Sequence, residues 1–556
     1  MNVAEAISRI LVAEGVGIAS GISGMRIGEI GDALVSDPQI KLCYARHERG
    51  AVDICDGYAR VTGRPGVVFA DSGPAVANAM AGIVNSYGDS VPLLFLAGQQ
   101  ERFEVPRRAT KELAIRDLYR PVSNWATAII DPRQVEHVLR RAFVMFNSGR
   151  PGPVVVEIPS DVAAMEALPF SSYRRHSRIR SAGDPEEIVR AVRALGVAER
   201  PYVYVGSGVL AAEATDELVE LAELLSLPVA TTLNGKSSFP EDHALSLGIG
   251  GFSRAPYSSF QSRQVAEAAD LVLTIGCGLK REGRVAPMPK GVIHIQVDVD
   301  PFELHKEVDA DFAILGDAKL VLRQMIDTAR AELPAARLQP RAELLDSIQR
   351  ARQEWMAVSE PFLTSREKPI NPFRVTWELA QIVDPAQTIL LPDVGSVRGT
   401  TCQHYVATKP RSFVGFGVES AMGWSIGAAI GAKVAAPDKL VISVLGDEAF
   451  GETGLELETA VCSEVPILLI LKNNRADRGL EERVSPKLSP VRFKGGQNYA
   501  MVARDLGAWA TRVEDPEALR EALAEAVKRV QGGECALVEV VTKRVAPSLH
   551  RLYERR

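Results

Sequence analysis

The sequence contains few cysteines, and no two of them are spaced for a metal site. Six cysteines are scattered over 556 residues, and none form a C-x-x-C motif. This pattern excludes a cysteine-based zinc site or disulfide framework and is typical of proteins in a reducing cytoplasm. No apolar run reaches the roughly 20 residues that a membrane helix needs. The N-terminal segment has helical spacing with acidic residues, unlike a signal peptide. We therefore expect a cytoplasmic protein without membrane contact.

The chain also lacks an excess of positive charge. It has 64 Lys and Arg against 70 Asp and Glu, which gives a formal net charge of −6. Proteins dedicated to DNA or RNA need clustered basic residues to neutralise phosphates. Nucleic acid is therefore not an expected partner, and a small anionic substrate would need local positive groups.

What the sequence does contain is a repeated alternation of short Val/Ile/Leu-rich strands with helical segments. This alternation predicts an α/β fold of mainly parallel sheets flanked by helices. A chain of 556 residues is too long for one core. We predict three consecutive domains, at residues 1–165, 184–330 and 373–545, separated by a polar basic linker and a helical connector.

A glycine pair in the predicted central domain suggests a dinucleotide fold. Gly206 and Gly208 follow a predicted strand, but the third glycine of the G-x-G-x-x-G motif is missing. A simple strand-to-helix turn is therefore favoured over a nicotinamide site.

Two motifs in the third domain point to a metal site. Gly446-Asp447 follows one apolar strand, Asn473-Asn474 ends the next, and Asp447 and Asn474 are 27 residues apart. This spacing fits one right-handed β-α-β unit, so both side chains meet at the carboxyl edge of the sheet, where open α/β sheets bind ligands. Carboxylate, amide and carbonyl oxygens are ligands that suit Mg²⁺.

With these motifs the chain resembles, over almost its whole length, the superfamily of thiamine-diphosphate-dependent decarboxylases and acetolactate synthases. The family has Gly-Asp-Gly followed by Asn-Asn, and "RHERGA" at residues 46–51 resembles its R-H-E-x-x-A segment. The resemblance implies pyrimidine-binding, central and diphosphate-binding domains in that order. It also implies Mg²⁺ held by Asp447, Asn474 and the main-chain carbonyl of Ala476.

The resemblance further assigns the residues around the cofactor. Glu48 would be the catalytic glutamate, which protonates the aminopyrimidine ring and turns its amine into a base. Gln99 would lie near the bound intermediate, and Met422 would hold the cofactor bent. The cofactor-binding residues implied are Gly24, Gly73, Val394, Gly395, Ser396, Met422, Gly446, Glu448 and Ala449. Because the family's glutamate and magnesium site come from different subunits, we expect a homodimer or homotetramer.

The expected reaction makes or breaks a C–C bond next to a carbonyl, most simply by decarboxylating a 2-oxo acid or ligating the product. The segment at residues 446–459 is closer to oxalyl-CoA decarboxylase and 2-hydroxyacyl-CoA lyase. Decarboxylation or cleavage of a coenzyme A thioester is therefore the alternative. A catalytically silent binding subunit is an alternative of another class, which the joint presence of Glu48, Met422, Asp447 and Asn474 disfavours.

The family's central domain holds FAD in acetolactate synthases and ADP in oxalyl-CoA decarboxylase. Residues 276–291 of this chain lack the R-F-D-D-R run of the synthases. FAD or ADP is therefore kept as the less favoured alternative to an empty central domain.

Three acidic residues depart from the family pattern. Asp71 stands where many synthases have Thr and benzoylformate decarboxylase has His, and an acid there would repel a 2-oxo acid unless it is protonated or paired. Glu419 replaces an apolar residue, and Glu448 replaces the third residue of Gly-Asp-Gly. These departures predict an altered substrate pocket, with Asp71 as a polar contact to substrate or cofactor.

Overall fold

The structure is a computed structural model that describes residues 1–168, 173–251, 258–279, 288–339, 341–475 and 497–544. Three sheets of six, six and five strands follow one another along the chain, and their strand pairs are parallel. Helices flank each sheet, so the predicted α/β class is confirmed. Each sheet lies inside one of the three predicted domains, whose bounds themselves stay a prediction.

The N-terminal sheet has the strand order β2-β1-β3-β4-β6-β5. Its strands are β1 Ile18–Ile22, β2 Lys41–Tyr44, β3 Gly66–Ala70, β4 Leu93–Gln99, β5 Trp125–Ala128 and β6 Pro153–Pro159. The accompanying helices are α1 Val3–Glu14, α2 Gly28–Val35, α3 Glu48–Thr62, α4 Pro74–Asn78, α5 Met80–Gly88, α6 Ile115–Tyr119, α7 Val135–Phe146 and α8 Ser160–Ala164. Strands β3, β4 and β6 are buried along their whole length, as a sheet covered on both faces requires.

The central sheet has the order β12-β11-β10-β7-β8-β9. Its strands are β7 Pro201–Val205, β8 Val229–Thr231, β9 Ser246–Ile249, β10 Leu271–Ile275, β11 Ile293–Asp298 and β12 Phe312–Leu315. Its helices are α9 Pro185–Val197, α10 Gly208–Ala212, α11 Thr215–Leu225, α12 Phe260–Ala268 and α13 Ala318–Glu332. Helix α14, Ala342–Leu363, then leads to the last domain and ends two residues after Pro361.

The C-terminal sheet has the order β13-β14-β15-β17-β16. Its strands are β13 Thr388–Pro392, β14 Leu440–Gly446, β15 Leu468–Asn473, β16 Trp509–Val513 and β17 Ala536–Val541. Its helices are α15 Pro372–Ala380, α16 Ser396–Cys402, α17 Trp424–Ala435, α18 Asp447–Thr453, α19 Glu456–Cys462, α20 Tyr499–Asp505 and α21 Leu519–Gln531.

The outer two domains are joined by a close contact between α3 and α17. A Cβ added to Gly431 would lie 1.8 Å from the carbonyl oxygen of Ile54, and one added to Gly57 would lie 2.1 Å from that of Ala428. The two helices therefore touch backbone to backbone, and side chains larger than hydrogen do not fit at these two positions. Below, this contact is called the glycine seam.

Within the described residues, no helix is long and apolar enough to cross a membrane.

Candidate active site

Three neighbouring strands of the C-terminal sheet end at the same edge. Strand β13 is followed by residues 393–396, β14 by Asp447, and β15 by Asn474. The register pairs Gly446 on β14 with Lys472 on β15, so these two strands end at the same level of the sheet. The edge therefore brings together the residues that the sequence predicted from spacing alone.

Asp447 is the buried acid of this edge. It begins α18, is only 3% exposed, and accepts hydrogen bonds from the backbone amides of Asn474 and Arg475. Burial raises the pKa of Asp447 to about 6, and the nearby Glu539 carboxylate adds to this rise. A buried carboxylate in a setting that disfavours its charge fits a bound cation, and the amide side chain of Asn474 offers a further oxygen.

A second buried acid, Asp393, organises the loop that leads into α16. Its Oδ1 accepts the amides of Val394 at 2.9 Å and Gly423 at 3.0 Å, and its Oδ2 accepts the amide of Ser425 at 3.0 Å. Asp393 thereby ties the 394–396 loop to the segment that starts α17. Gly395 has a φ of 82°, and apart from its chain neighbours no atom of the described residues lies within 4 Å of where its Cβ would be. The loop therefore has the open, left-handed turn that a close backbone approach to a phosphate group requires.

Met422 lies on the same side of this domain. It is half-buried against the core shared by the outer domains, and its carbonyl accepts a hydrogen bond from the Arg49 guanidinium. The next residue, Gly423, has a φ of 83° and would place a Cβ 3.1 Å from the carbonyl oxygen of Ala449. The structure thus brings Met422 near the first turn of α18, where the half-buried Glu448 also lies. Ala476, the predicted third magnesium ligand, lies outside the described residues.

Glu48 begins α3 at the boundary between the outer domains. It is 8% exposed, and its Oε2 accepts a hydrogen bond from the side-chain Nδ2 of Asn78 at 2.9 Å. The residues before it are held by the C-terminal domain, because the Glu456 carboxylate accepts the backbone amides of Arg46 at 3.1 Å and His47 at 3.0 Å. The position of Glu48 therefore depends on a residue of α19 that sequence reasoning missed.

Gln99 ends β4 and is 1% exposed. Its Oε1 accepts the amide of Gln100 at 2.9 Å, and its Nε2 donates to the carbonyl of Leu113 at 2.8 Å. Both ends of the amide side chain thus hold the following loop in place. A catalytic role for Gln99 stays a prediction.

Asp71 follows β3 and is paired with a lysine. Its Oδ1 accepts the backbone amide of Arg26 at 2.9 Å, and its Oδ2 accepts the Lys111 ammonium at 2.8 Å. Gly24 and Gly73, two predicted cofactor-binding residues, pack directly on this pair: their added Cβ atoms would lie 2.5 Å from Asp71 and 2.9 Å from Lys111. The acid that the sequence singled out is therefore a member of an ion pair beside predicted site residues.

Comparison with known proteins identifies the family of the chain. Three models of the thiamine pyrophosphate enzyme family match the chain: the N-terminal TPP binding domain at residues 1–118, the central domain at 188–325 and the C-terminal TPP binding domain at 393–540. A probable acetolactate synthase large subunit from Methanocaldococcus jannaschii is 32% identical over 95% of this chain and 90% of that protein. The acetolactate synthase isozyme 3 large subunit of Escherichia coli is 30% identical over 97% and 94%. The chain belongs to the thiamine pyrophosphate enzyme family.

The chain is thus a thiamine-pyrophosphate-dependent enzyme of the decarboxylase and carboligase kind, and thiamine diphosphate, the same compound, is its cofactor. This confirms the predicted superfamily and weighs against the alternative of a silent binding subunit. The roles of individual site residues remain predictions.

In this thiamine pyrophosphate enzyme a cavity of about 1080 Å³ opens at the central sheet. Gly206 and Gly208, which follow β7, line this cavity, and they also lie close to the loop after β10, because a Cβ on Gly206 would lie 2.1 Å from the carbonyl oxygen of Gly276. The preference for a simple strand-to-helix turn over a nicotinamide site therefore stays a prediction. Residues 276–291 lack the R-F-D-D-R run of the synthases, and the part of this segment at 280–287 lies outside the described residues.

Sequence reasoning missed Lys472, a buried lysine on β15 two residues before the predicted ligand Asn474. It is 3% exposed, and its ammonium donates to the hydroxyls of Thr376 at 3.2 Å, Thr400 at 3.0 Å and Thr401 at 3.1 Å. Burial lowers the pKa of Lys472 to about 7. The one available signal was a charged residue inside the apolar run that precedes Asn473.

Proposed function

We propose that the chain is an acetolactate synthase-like enzyme, which decarboxylates a 2-oxo acid and joins the product to a second carbonyl compound with the help of Mg²⁺. The observation that carries this proposal is the buried Asp447, held by the amides at Asn474 and Arg475 beside the open 394–396 loop. The printed names of the relatives, acetolactate synthase large subunits, support the same activity.

The C-terminal edge supplies the anchor for the cofactor. Asp447, the Asn474 side chain and the Ala476 carbonyl would hold Mg²⁺, and Val394, Gly395 and Ser396 would face the diphosphate. In the described residues no group of three His, Cys, Asp or Glu side chains could hold a metal. Diphosphate oxygens would therefore complete the coordination, as is usual for Mg²⁺. When bound, thiamine diphosphate supplies an electron sink beside the carbonyl under attack.

Glu48 would exchange a proton with the aminopyrimidine ring. Asn78 fixes its Oε2, and no hydrogen bond from the described residues reaches its Oε1. That oxygen can therefore carry the proton, and the low exposure of Glu48 keeps bulk water from competing.

Two measurements test the cofactor site and the reaction separately. Titration calorimetry of cofactor-free protein with thiamine diphosphate and Mg²⁺ should give saturable heat, and Asp447→Asn should weaken binding at least about 100-fold. No heat for the unaltered protein would refute the proposed site. A panel of 2-oxo acids and 2-hydroxyacyl-CoA thioesters, assayed with cofactor, should show turnover of a 2-oxo acid. Turnover of the thioesters alone would favour the lyase alternative.

We further propose that the active site forms between two copies of the chain, as the resemblance implies. Exposed apolar side chains near the predicted site support a partner surface, since Met25 is 84% and Leu455 61% exposed. Glu48→Gln and Asp447→Asn, each inactive alone, should recover about a quarter of the sites when coexpressed, because a mixed dimer keeps one intact site. No recovery in a confirmed mixed oligomer would show that both residues act in one chain.

We retain two finer predictions for this enzyme, a cytoplasmic location and no bound flavin. A visible flavin absorption band in the purified protein would contradict the second.

A further inference from the structure

Lys111 lies at the carboxyl edge of the N-terminal sheet, and no predicted catalytic role uses it. Its ammonium donates to Asp71, yet the lysine side chain remains 47% exposed. An ammonium carries three N–H donors, and the bond to Asp71 needs one of them. Lys111 therefore keeps exposed donors that the bond to Asp71 does not use.

The backbone holds this lysine in a fixed place. Lys111 has a φ of 66°, a left-handed conformation that costs energy for any residue except glycine and persists where neighbours enforce it. The neighbour is Gly73, with a φ of 69°, whose added Cβ would lie 2.9 Å from the Cβ of Lys111. The ammonium is thus presented from two interlocked loops.

Asp71 is poorly placed to contact a substrate itself. Its two oxygens already accept hydrogen bonds from the Arg26 amide and from Lys111. Burial raises the pKa of Asp71, but the hydrogen bonds from Lys111 and the amides of Arg26 and Ser72 outweigh it, so the pKa lies below its usual value. The carboxylate stays charged and orients the ammonium of Lys111.

Arg26, whose backbone amide also donates to Asp71, has its guanidinium already engaged. The Arg26 guanidinium lies 3.5 Å from Glu101 and 3.3 Å from Glu104. Lys111 therefore offers the better donors to a small anion at this edge.

We propose that Lys111 binds the carboxylate of the 2-oxo acid substrate and that Asp71 is the positioning residue that aims it. The inference rests on the proposed function for the class of substrate. It also explains why an acid at position 71 does not repel that substrate, since Lys111 neutralises it.

The test uses the holoenzyme and two probes that differ in one charge: oxamate, an unreactive relative of a 2-oxo acid, and its neutral methyl ester. Calorimetry should show oxamate binding weakened about 10- to 100-fold in Lys111→Met, the loss expected for a charge-assisted hydrogen bond. Ester binding should stay within about twofold, and Lys111→Arg should restore part of the oxamate affinity. Arg108→Met is the matched control, because Arg108 is an exposed cation of the same loop with a φ of 56°.

The outcomes test two conclusions separately, the role of Lys111 and the proposed reaction. Equal losses for Lys111→Met and Arg108→Met, equal losses for oxamate and ester, or no oxamate binding by the unaltered protein would overturn the role of Lys111. If oxamate binding depends on Lys111 but no 2-oxo acid is consumed, the carboxylate site stands and the proposed reaction fails. Asp71→Asn should weaken oxamate binding less than Lys111→Met, and a larger loss would contradict a role through Lys111.

Discussion

The carboxyl edges of the two outer sheets handle charge in opposite ways. At the N-terminal edge, opposite charges neutralise each other: Asp71 pairs with Lys111, and Arg26 with Glu101 and Glu104. At the C-terminal edge, buried charges face neutral dipoles. The hydrogen bonds described for Lys472 go to three threonine hydroxyls, and those of Asp393 come from three backbone amides.

The difference separates an edge whose charges have partners of opposite sign from one whose buried charges face neutral groups. A buried charge without an opposite charge is costly, so it persists where something else compensates it. At the C-terminal edge, the proposed binding of Mg²⁺ and of the cofactor's diphosphate would supply that compensation. At the N-terminal edge both cations already have acidic partners, and the proposed substrate carboxylate at Lys111 would be the ion added there. Matched substitutions at the two edges should therefore have unequal effects.

The largest effect is expected for Asp393→Asn. The amide side chain would turn its NH₂ group toward a backbone N–H, and so one of three buried donors would lose its acceptor. We expect a loss of about 3–5 kcal/mol, which should lower the melting temperature of the cofactor-free protein by about 5 °C or more. A change of under about 1 °C would mean that these hydrogen bonds contribute little.

The next largest effect is a loss of folding stability at low pH, caused by His404 in the C-terminal domain. His404 is 8% exposed, packs against Trp355 and Phe373, and has no hydrogen bond to Nε2 from the described residues. Burial and then the charge of Lys236 lower the pKa of His404 to about 4. The unfolded chain binds the proton more tightly, so stability falls as pH drops from about 6.5 to 4, by at most about 3 kcal/mol.

Thermal melts over this pH range should show the loss in the unaltered protein and a smaller one in His404→Phe, which keeps an aromatic ring but cannot be protonated. Identical acid profiles for the two proteins would remove His404 as the cause.

A smaller effect is expected for Lys472→Met. The buried ammonium belongs to β15, which the predicted magnesium ligand Asn474 directly follows, so it should attract a bound diphosphate. We expect the dissociation constant for thiamine diphosphate to rise about tenfold, equal to about 1.4 kcal/mol. Thiamine without phosphates should lose much less affinity, whereas equal losses for both compounds would indicate a structural role alone. Stability without cofactor should stay level or rise.

The smallest effect is expected for Asp71→Asn. Its lysine partner is nearly half exposed, so solvent screens the pair, and such pairs contribute under about 1 kcal/mol. The melting temperature should therefore fall by less than about 3 °C. A loss as large as that of Asp393→Asn would remove the contrast between the two edges.

The sequence could predict what depends on strand periodicity and strand ends. Strands β3 and β6 coincide with their apolar segments, and Asp447 meets the backbone of Asn474 because the ends of adjacent parallel strands share an edge. Contacts between distant segments carry no such signal. Lys472 meets threonines 71 to 96 residues away, and Lys111 reaches Asp71 from an irregular loop. These contacts depend on how helices and loops settle on the sheets, which periodicity does not encode.

The glycine seam limits how this enzyme can be engineered. Exchanging a helical glycine for alanine usually gains helix stability of up to about 1 kcal/mol. At Gly431 or Gly57 the extra carbon would meet a backbone carbonyl at 1.8 or 2.1 Å and drive α3 away from α17. Since Glu48 begins α3 and Met422 lies just before α17, such an exchange would also displace both of these predicted site residues. Programmes that screen for heat resistance should therefore leave these glycines untouched.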